Sequence, residues 1–331
     1  MLIKDIGEQG LLRILQKFCP AEIVGDDCAV MATNPNQSLA ITTDMLVDGV
    51  HFSDRTTGPY YAGWRAAAAN LSDLAAMGAR PLAVTLALAV TADTAVLWVE
   101  EFYRGMTACL QEYDTPIVGG DVVRSPVVTV AITAFGEVEC ARTISRSNAR
   151  SDWAIVATGV HGASRAGLEL LLNPEFGQNL EKVDRASLIL AHQRPKPRLD
   201  VLPIVWEILD SAGEFSIAGM DSSDGLADAI IQICRASGVG AKVDRPKIPI
   251  PDIFSEIVST EKALDWALYG GEDFELVLFL PIAHANLLVE RIGDGAAIVG
   301  IATDSTDIWL TDSSGICPDI VLKLDRGFQH F

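Results

Sequence analysis

Apolar runs and polar breaks alternate along this chain in a way that predicts strands and helices by turns. Residues 39–43 form a short β-prone run. Residues 61–77 are Ala-rich and helical, closed by Gly78 at the position after the helix with Pro81 beyond it. A strand over 82–90, a helix from about 94 to 113, and strands near 116–118 and 127–136 follow. The pattern restarts with a strand at 153–158 and a helix around 164–172, then turns loop-rich from 173 to 199. Beyond lie a helix near 201–212, a strand at 215–218, a helix from 223 to 237, a proline-rich connection at 246–251, and strands at 276–280 and 297–301. This mixture is α/β in its broad, α+β mixed form. The weak pattern near 138–151 predicts a boundary, giving domains 1–140 and 141–331.

Composition narrows the function. The chain has 331 residues, 49% hydrophobic and 21% charged, which is a folded rather than a disordered composition. Acidic residues outnumber basic ones 44 to 25, for a formal charge of −19. That argues against an extended nucleic-acid face, which needs a basic stripe, but permits an anionic ligand screened by metal ions. The longest uncharged apolar runs, 81–92 and 125–136, fall short of the ~20 residues a bilayer requires, so no membrane span is expected. The first residues meet acid by Asp5 and lack an apolar core, so no signal peptide is expected. Six scattered cysteines without a C-x-x-C pair suggest reduced thiols in a cytoplasmic protein.

The chain lacks a P-loop, a G-x-G-x-x-G turn, an H-E-x-x-H helix and a G-x-S-x-G elbow. What stands out is carboxylates after apolar runs and among glycines: IVGDDCAV, LAITTDMLVDGVHF, NLSDLAAMG, PIVGGDVVR, IAGMDSSDG and YGGEDFELV. Asp is disfavoured in strands and seldom buried unpaired. Two hydroxyls beside Asp44 suit a hard divalent cation, although turns favour Asp too. Asn70 and Asp73, at i and i+3, share a helix face that either binds a ligand or meets solvent. Gly119 and Gly120 before Asp121 either form a tight turn or let backbone approach a phosphate. In Asp221–Gly225, helix capping accounts for one Ser and one Asp and leaves the second Asp unexplained.

These motifs, with SRSNARSDWAIVATG and a terminal GFQHF, resemble those of the thiamine-monophosphate kinase family, of the aminoimidazole ribonucleotide synthetase-like superfamily, in family order from about residue 23 onward. The resemblance implies a two-domain fold. An N-terminal domain would bind ATP and Mg²⁺ and pair its sheet with a twin in a homodimer; a C-terminal α/β domain would pack over it, with ATP between them. It implies magnesium ligands at Asp27, Thr42, Thr43, Asp44, Asp73, Asp121, Asp221 and Asp224, and ATP contacts at Tyr103, Gly120, Asp121, Arg146 and Ser223. His51, Glu272 and Phe328 match substrate-contacting positions. Relatives often carry Tyr or Trp at the last of these; Phe328 keeps the ring and lacks a polar edge.

The implied reaction is transfer of the ATP γ-phosphoryl group to thiamine monophosphate, giving thiamine diphosphate. Its acceptor is a phosphate oxygen, largely ionised near neutral pH, so no general base is required. In-line positioning and charge neutralisation by several Mg²⁺ ions would carry catalysis. Arg146 is the candidate side-chain cation for ATP, while Arg194, Lys196 and Arg198 fit structure or phosphate contact equally. Alternatives are another phosphate acceptor within the superfamily, a metal-dependent phosphohydrolase, and a calcium-binding module, the last without an EF-hand loop to support it. Selenophosphate synthetase and the hydrogenase maturation protein are disfavoured, because the N-terminus is glycine-poor and the chain ends in His330-Phe331 rather than cysteine.

Overall fold

The computed structural model describes residues 1–20, 33–213, 215–293 and 295–327. The chain divides into two compact units, residues 1–74 with 79–140, and residues 75–78 with 141–331.

The first unit runs α1 (Ile3–Leu15), β1 (Gln37–Val47), α2 (Pro59–Ala76), β2 (Arg80–Val90), α3 (Val96–Gln111), β3 (Ile117–Arg124) and β4 (Thr129–Glu139). Its sheet has the order β1-β4-β2-β3, with only the β2–β3 pair parallel. Register sorts the side chains into two faces, because strand residues alternate. The rows Thr42–Ala134–Val84, Asp44–Ile132–Leu86 and Leu46–Val130–Leu88 belong to the face that buries its aliphatic members. The rows Thr43–Thr133–Thr85 and Met45–Ala131–Ala87 belong to the other, where Leu39, Ile41, Met45 and Val123 stay exposed. Helices α2 and α3 meet through glycines: a Cβ on Gly63 would lie 1.9 Å from the Phe102 carbonyl oxygen, and one on Gly105 1.7 Å from that of Tyr60. No other residue permits so close a crossing.

The second unit runs β5 (Ala154–Ala157), α4 (Ala163–Leu172), α5 (Lys182–Gln193), α6 (Leu202–Ala212), β6 (Ala218–Asp221), α7 (Leu226–Ser237), β7 (Gly240–Asp244), α8 (Phe254–Ile257), α9 (Thr260–Tyr269), β8 (Leu276–Leu280), α10 (Ile282–Ile292), β9 (Ala297–Thr303), β10 (Ile308–Thr311) and β11 (Ile320–Val321). The sheet order is β11-β10-β7-β9-β5-β8-β6. Both faces are covered, so β5 and β8 are apolar throughout. Ile155, Ala157, Val277 and Phe279 pack with α7, whereas Ala154, Val156, Leu276 and Leu278 pack with α6 and α10. A third cluster joins Leu170, Leu188, Phe254 and Trp266. Truncating Phe279 to Ala in such a core costs about 3–5 kcal/mol.

Several elements depart from the sequence reading. The loop-rich stretch contains α5, whose buried residues are only Leu188 and His192, too few to set a helical period. The strand expected at 215–218 starts at Ala218 and runs to Asp221, because its pairing with β8 (Ala218 opposite Phe279, Asp221 opposite Leu276) overrides the poor strand propensity of Asp. Helix α7 starts at Leu226 and leaves 222–225 as a turn. Strand β3 continues through both glycines to Arg124, so Gly119-Gly120-Asp121 is strand, not turn. Gly120 has a packing reason, since a Cβ there would sit 2.1 Å from the Leu86 carbonyl oxygen.

Candidate active site

In the first unit, β1 and α2 gather oxygen donors. Thr42 and Asp44 alternate on the face toward α2, one turn of which presents Asn70 and Asp73. The Thr42 hydroxyl donates to Asp73 Oδ2, and the Asp44 backbone N–H donates to Asn70 Oδ1 at 3.3 Å. Asn70 is fully buried and anchored by its own amide to the Ala66 carbonyl at 3.0 Å. The Asn70/Asp73 face is therefore turned to β1. Thr43 lies on the opposite face, paired to Thr133 Oγ1 at 2.9 Å.

His51 follows β1 in a turn and accepts the Val47 N–H on Nδ1 at 3.1 Å, which leaves the ring proton on Nε2. Asp121 is exposed and accepts the N–H of Val122 at 2.9 Å. Strands β1 and β3 are the two edges of the sheet, so Asp44 and Asp121 stand three strand spacings apart, roughly 14 Å. Tyr103 is buried, its ring 5.3 Å from that of Phe18, and burial raises the phenol well above its usual range. Asp27 and Phe328 lie outside the described residues.

In the second unit, β6 delivers Asp221 into a turn. Ser223 Oγ donates to Asp221 Oδ1 at 3.2 Å, and Gly225 closes the turn at φ +107° by donating to the Ser222 carbonyl at 3.0 Å. A second loop, 270–275, leans on this turn: the Glu272 N–H donates to the Ser223 carbonyl at 2.7 Å. Glu272 and Phe274 both hold left-handed backbone, φ +59° and +53°, a cost of order 1–3 kcal/mol each that surrounding contacts must offset. Asp273 provides part of that restraint by accepting the N–H groups of Gly162, at 2.7 Å, and Ser164, at 2.9 Å, at the start of α4. Burial pushes its carboxyl up to about 7 against those bonds, with the Glu275 and Glu272 charges pushing the same way. Glu272 Oε2 lies 3.7 Å from His192 Nδ1, which also contacts Ser164 Oγ at 3.2 Å. Arg146 donates to Gln232 Oε1 at 2.9 Å, and Gln232 to Asp228 Oδ2 at 2.6 Å. Asp224, Asp228, Tyr269, Lys323, Leu324 and Gly327 line a small open cavity of about 40 Å³.

His161 and His192 of this network escaped sequence reasoning. Arg198 is structural: it pairs with Glu275 and with Asp200 (3.0 Å) and donates to the Thr158 carbonyl at 2.8 Å. Burial raises the pKa of Glu275, with Arg198 pulling it back. His161 is completely buried and, with Asp273 and His192, ties loops distant in sequence. The GGEDFEL motif exposed Asp273 to notice, but nothing local marks a lone histidine as its neighbour.

The donors in both units are carboxylate, hydroxyl and amide oxygens, the hard set that Mg²⁺ takes. Among the described residues, no group of three or more His, Cys, Asp or Glu stands close enough to hold an ion by itself. No helix among the described residues is long and apolar enough to cross a membrane.

Residues 25–138 match the family model for AIR synthase related protein, N-terminal domain. The chain is 48% identical to the thiamine-monophosphate kinase of Synechococcus elongatus, over 99% of this chain and 98% of that one. Its fold matches the crystal structure of thiamine-monophosphate kinase from Stenotrophomonas maltophilia with TM-score 0.76 and 31% identity, covering 87% of this chain and 89% of that one. It also matches AaThiL complexed with AMPPCP and TMP, TM-score 0.72 and 30% identity, over 98% and 99% of the two chains. With the fold and the full-length identity in agreement, the chain belongs to the thiamine-monophosphate kinase family.

Proposed function

We propose that this protein transfers the γ-phosphoryl group of ATP to thiamine monophosphate, forming thiamine diphosphate and ADP by direct in-line displacement. The observation that carries this reading is the oxygen-only donor set, found in both units of a chain so similar end to end to thiamine-monophosphate kinases. Thr42, Thr43, Asp44, Asp73 and Asp121 of the first unit, and Asp221 and Asp224 of the second, are the residues that would hold Mg²⁺; Asp27 completes the set from outside the described residues. Bound there, several Mg²⁺ ions supply charge neutralisation between two polyanions in an acidic protein.

The chain's own residues hold and orient. Asn70 and Asp73 fix the conformation of β1 at Thr42 and Asp44. Arg146 and Ser223 take the nucleotide phosphates, with Gly120 and Tyr103 beside the nucleotide. His51, Glu272 and Phe328 take thiamine monophosphate. His51 is not a base here, since its unprotonated Nδ1 already accepts the Val47 N–H. The phosphate acceptor needs none, being ionised above its pKa of about 6.

The exposed sheet face bearing Leu39, Ile41 and Met45 is proposed as the surface through which two copies pair as a homodimer. A cytoplasmic setting suits Cys19, Cys140, Cys234 and Cys317, all free thiols.

The test is ADP release with ATP and Mg²⁺, with and without thiamine monophosphate, beside a thiamine control. Release that depends on thiamine monophosphate is expected. Equal release without any acceptor would assign a phosphohydrolase instead.

A further inference from the structure

The turn between β5 and α4, residues 159–164, gives no side chain to either donor set, yet both ligand-bearing loops of the second unit hang from it. His161 is its centre. The ring is fully buried, and its Nδ1 lies 3.0 Å from the Gly159 carbonyl oxygen, which can only accept, so Nδ1 carries the proton. In the neutral ring, Nε2 is then an acceptor, and the hydroxyl 3.1 Å away, Ser222 Oγ, must be its donor. Ser222 is anchored three more times through its backbone neighbourhood: its N–H donates to the Glu275 carbonyl at 2.8 Å, its carbonyl accepts from Gly225 at 3.0 Å, and Glu272 donates to the next carbonyl, Ser223, at 2.7 Å. With Ser222 held inward, Asp221 and Ser223 are left facing each other at 3.2 Å. From the same turn, Gly162 and Ser164 hold Asp273, and so the 270–275 loop.

We infer that His161 is a positioning residue for the turn 221–224, acting through the Ser222 hydroxyl to set the direction of Asp221, Ser223 and Asp224. The inference rests on the reading of that turn as the nucleotide- and magnesium-facing element, and it makes Ser222 an internal pin rather than a phosphate contact. The two loops, joined by backbone hydrogen bonds, are held by different side chains. Ser222 serves the 221–224 turn, whereas Asp273 serves the loop bearing Glu272.

Substitutions separate the two hydrogen bonds of the ring. Asn at 161 keeps a donor near the Nδ1 position and loses the link to Ser222; Gln keeps a group near Nε2. Ser222→Ala and His161→Asn should each raise KM for Mg·ATP about tenfold, the worth of one buried hydrogen bond, with KM for thiamine monophosphate within about twofold of wild type. His161→Gln should recover to within about threefold. The His161→Asn/Ser222→Ala double variant should match either single one, because both remove the same bond. Independently of turnover, calorimetry with Mg²⁺ and a non-hydrolysable ATP analogue should show the same weakening. Wild-type analogue affinity in Ser222→Ala, proportional change in both KM values, or additive losses in the double variant would each overturn the inference. A wild-type protein that ignores thiamine monophosphate would instead sink the functional reading, whatever Ser222→Ala does.

Discussion

The two units place chemically similar oxygens by opposite means. In the first, the donors ride on regular elements: Thr42 and Asp44 are two residues apart on β1, and Asn70 and Asp73 three apart on α2. Periodicity alone puts each pair on one face, and two hydrogen bonds join the pairs. In the second, Asp221 ends β6 and the other donors sit on loops beside left-handed backbone, and their positions are imposed by polar groups from far along the chain: His161 on Ser222, the start of α4 on Asp273, Arg198 on Glu275. A strand or helix site is robust to its surroundings. A loop site is only as well placed as the side chains that pin it.

The sharpest test of that contrast removes charge from the regular elements. Asp44→Asn and Asp121→Asn should each lower turnover at least ~10³-fold while far-UV circular dichroism stays at wild type, since Asn keeps the size and the amide oxygen and removes only the charge. Equal losses from residues about 14 Å apart on opposite sheet edges would show that both edges serve one reaction. Near-wild-type turnover in both variants would count heavily against the kinase reading.

The loop unit should instead break through stability. Arg198→Met leaves Glu275 buried beside Asp200 without its cation and should cost about 3–5 kcal/mol in denaturant unfolding. Adding Glu275→Gln should return a large part of that, because the expense lies in the uncompensated charge. A milder change concerns the first unit's outer face. Ile41→Asp or Met45→Lys, both exposed, should shift a dimer toward monomer in light scattering at unchanged thermal midpoint. A midpoint drop without dissociation would mean that the face is not the pairing surface.

This division also explains what could be read from the residues alone. The strands and helices with strong patterns, β2, β4, α2 and α3, lie close to where periodicity puts them. Their neighbours depart from that pattern where tertiary pairing decides: β3 runs through two glycines because β2 pairs with it, and β6 ends at Asp221 because β8 reaches that far. Helix α5 buries too little to show. The candidate carboxylates stand out because Asp and Glu after apolar runs are anomalous. The pins do not, since a buried His161 or Arg198 looks ordinary until its partner, 61 or 77 positions away, is known.

The smallest expected effect tests the pins by pH. Burial holds the His161 imidazole down from 6.5 to about 4, partly countered by the Gly159 carbonyl. A depressed folded-state value means the unfolded chain binds the proton first, so this residue's contribution is intact above 6.5 and drains away as pH falls toward 4. Asp273 works in the opposite sense: its carboxyl is pushed up to about 7, so its contribution is present near pH 4 and lost as pH rises through 7. In wild type the two slopes oppose each other and the net acid dependence is shallow. His161→Asn removes one slope and leaves the other, so the two proteins should converge in thermal midpoint between pH 6.5 and 5.5. The limit is about 1.4 kcal/mol for one pH unit, worth roughly 2–4 °C per kcal/mol in a unit of this size. Parallel midpoint curves over that interval would show that the ring is not held neutral, and the acceptor role assigned to Nε2 would fall with it.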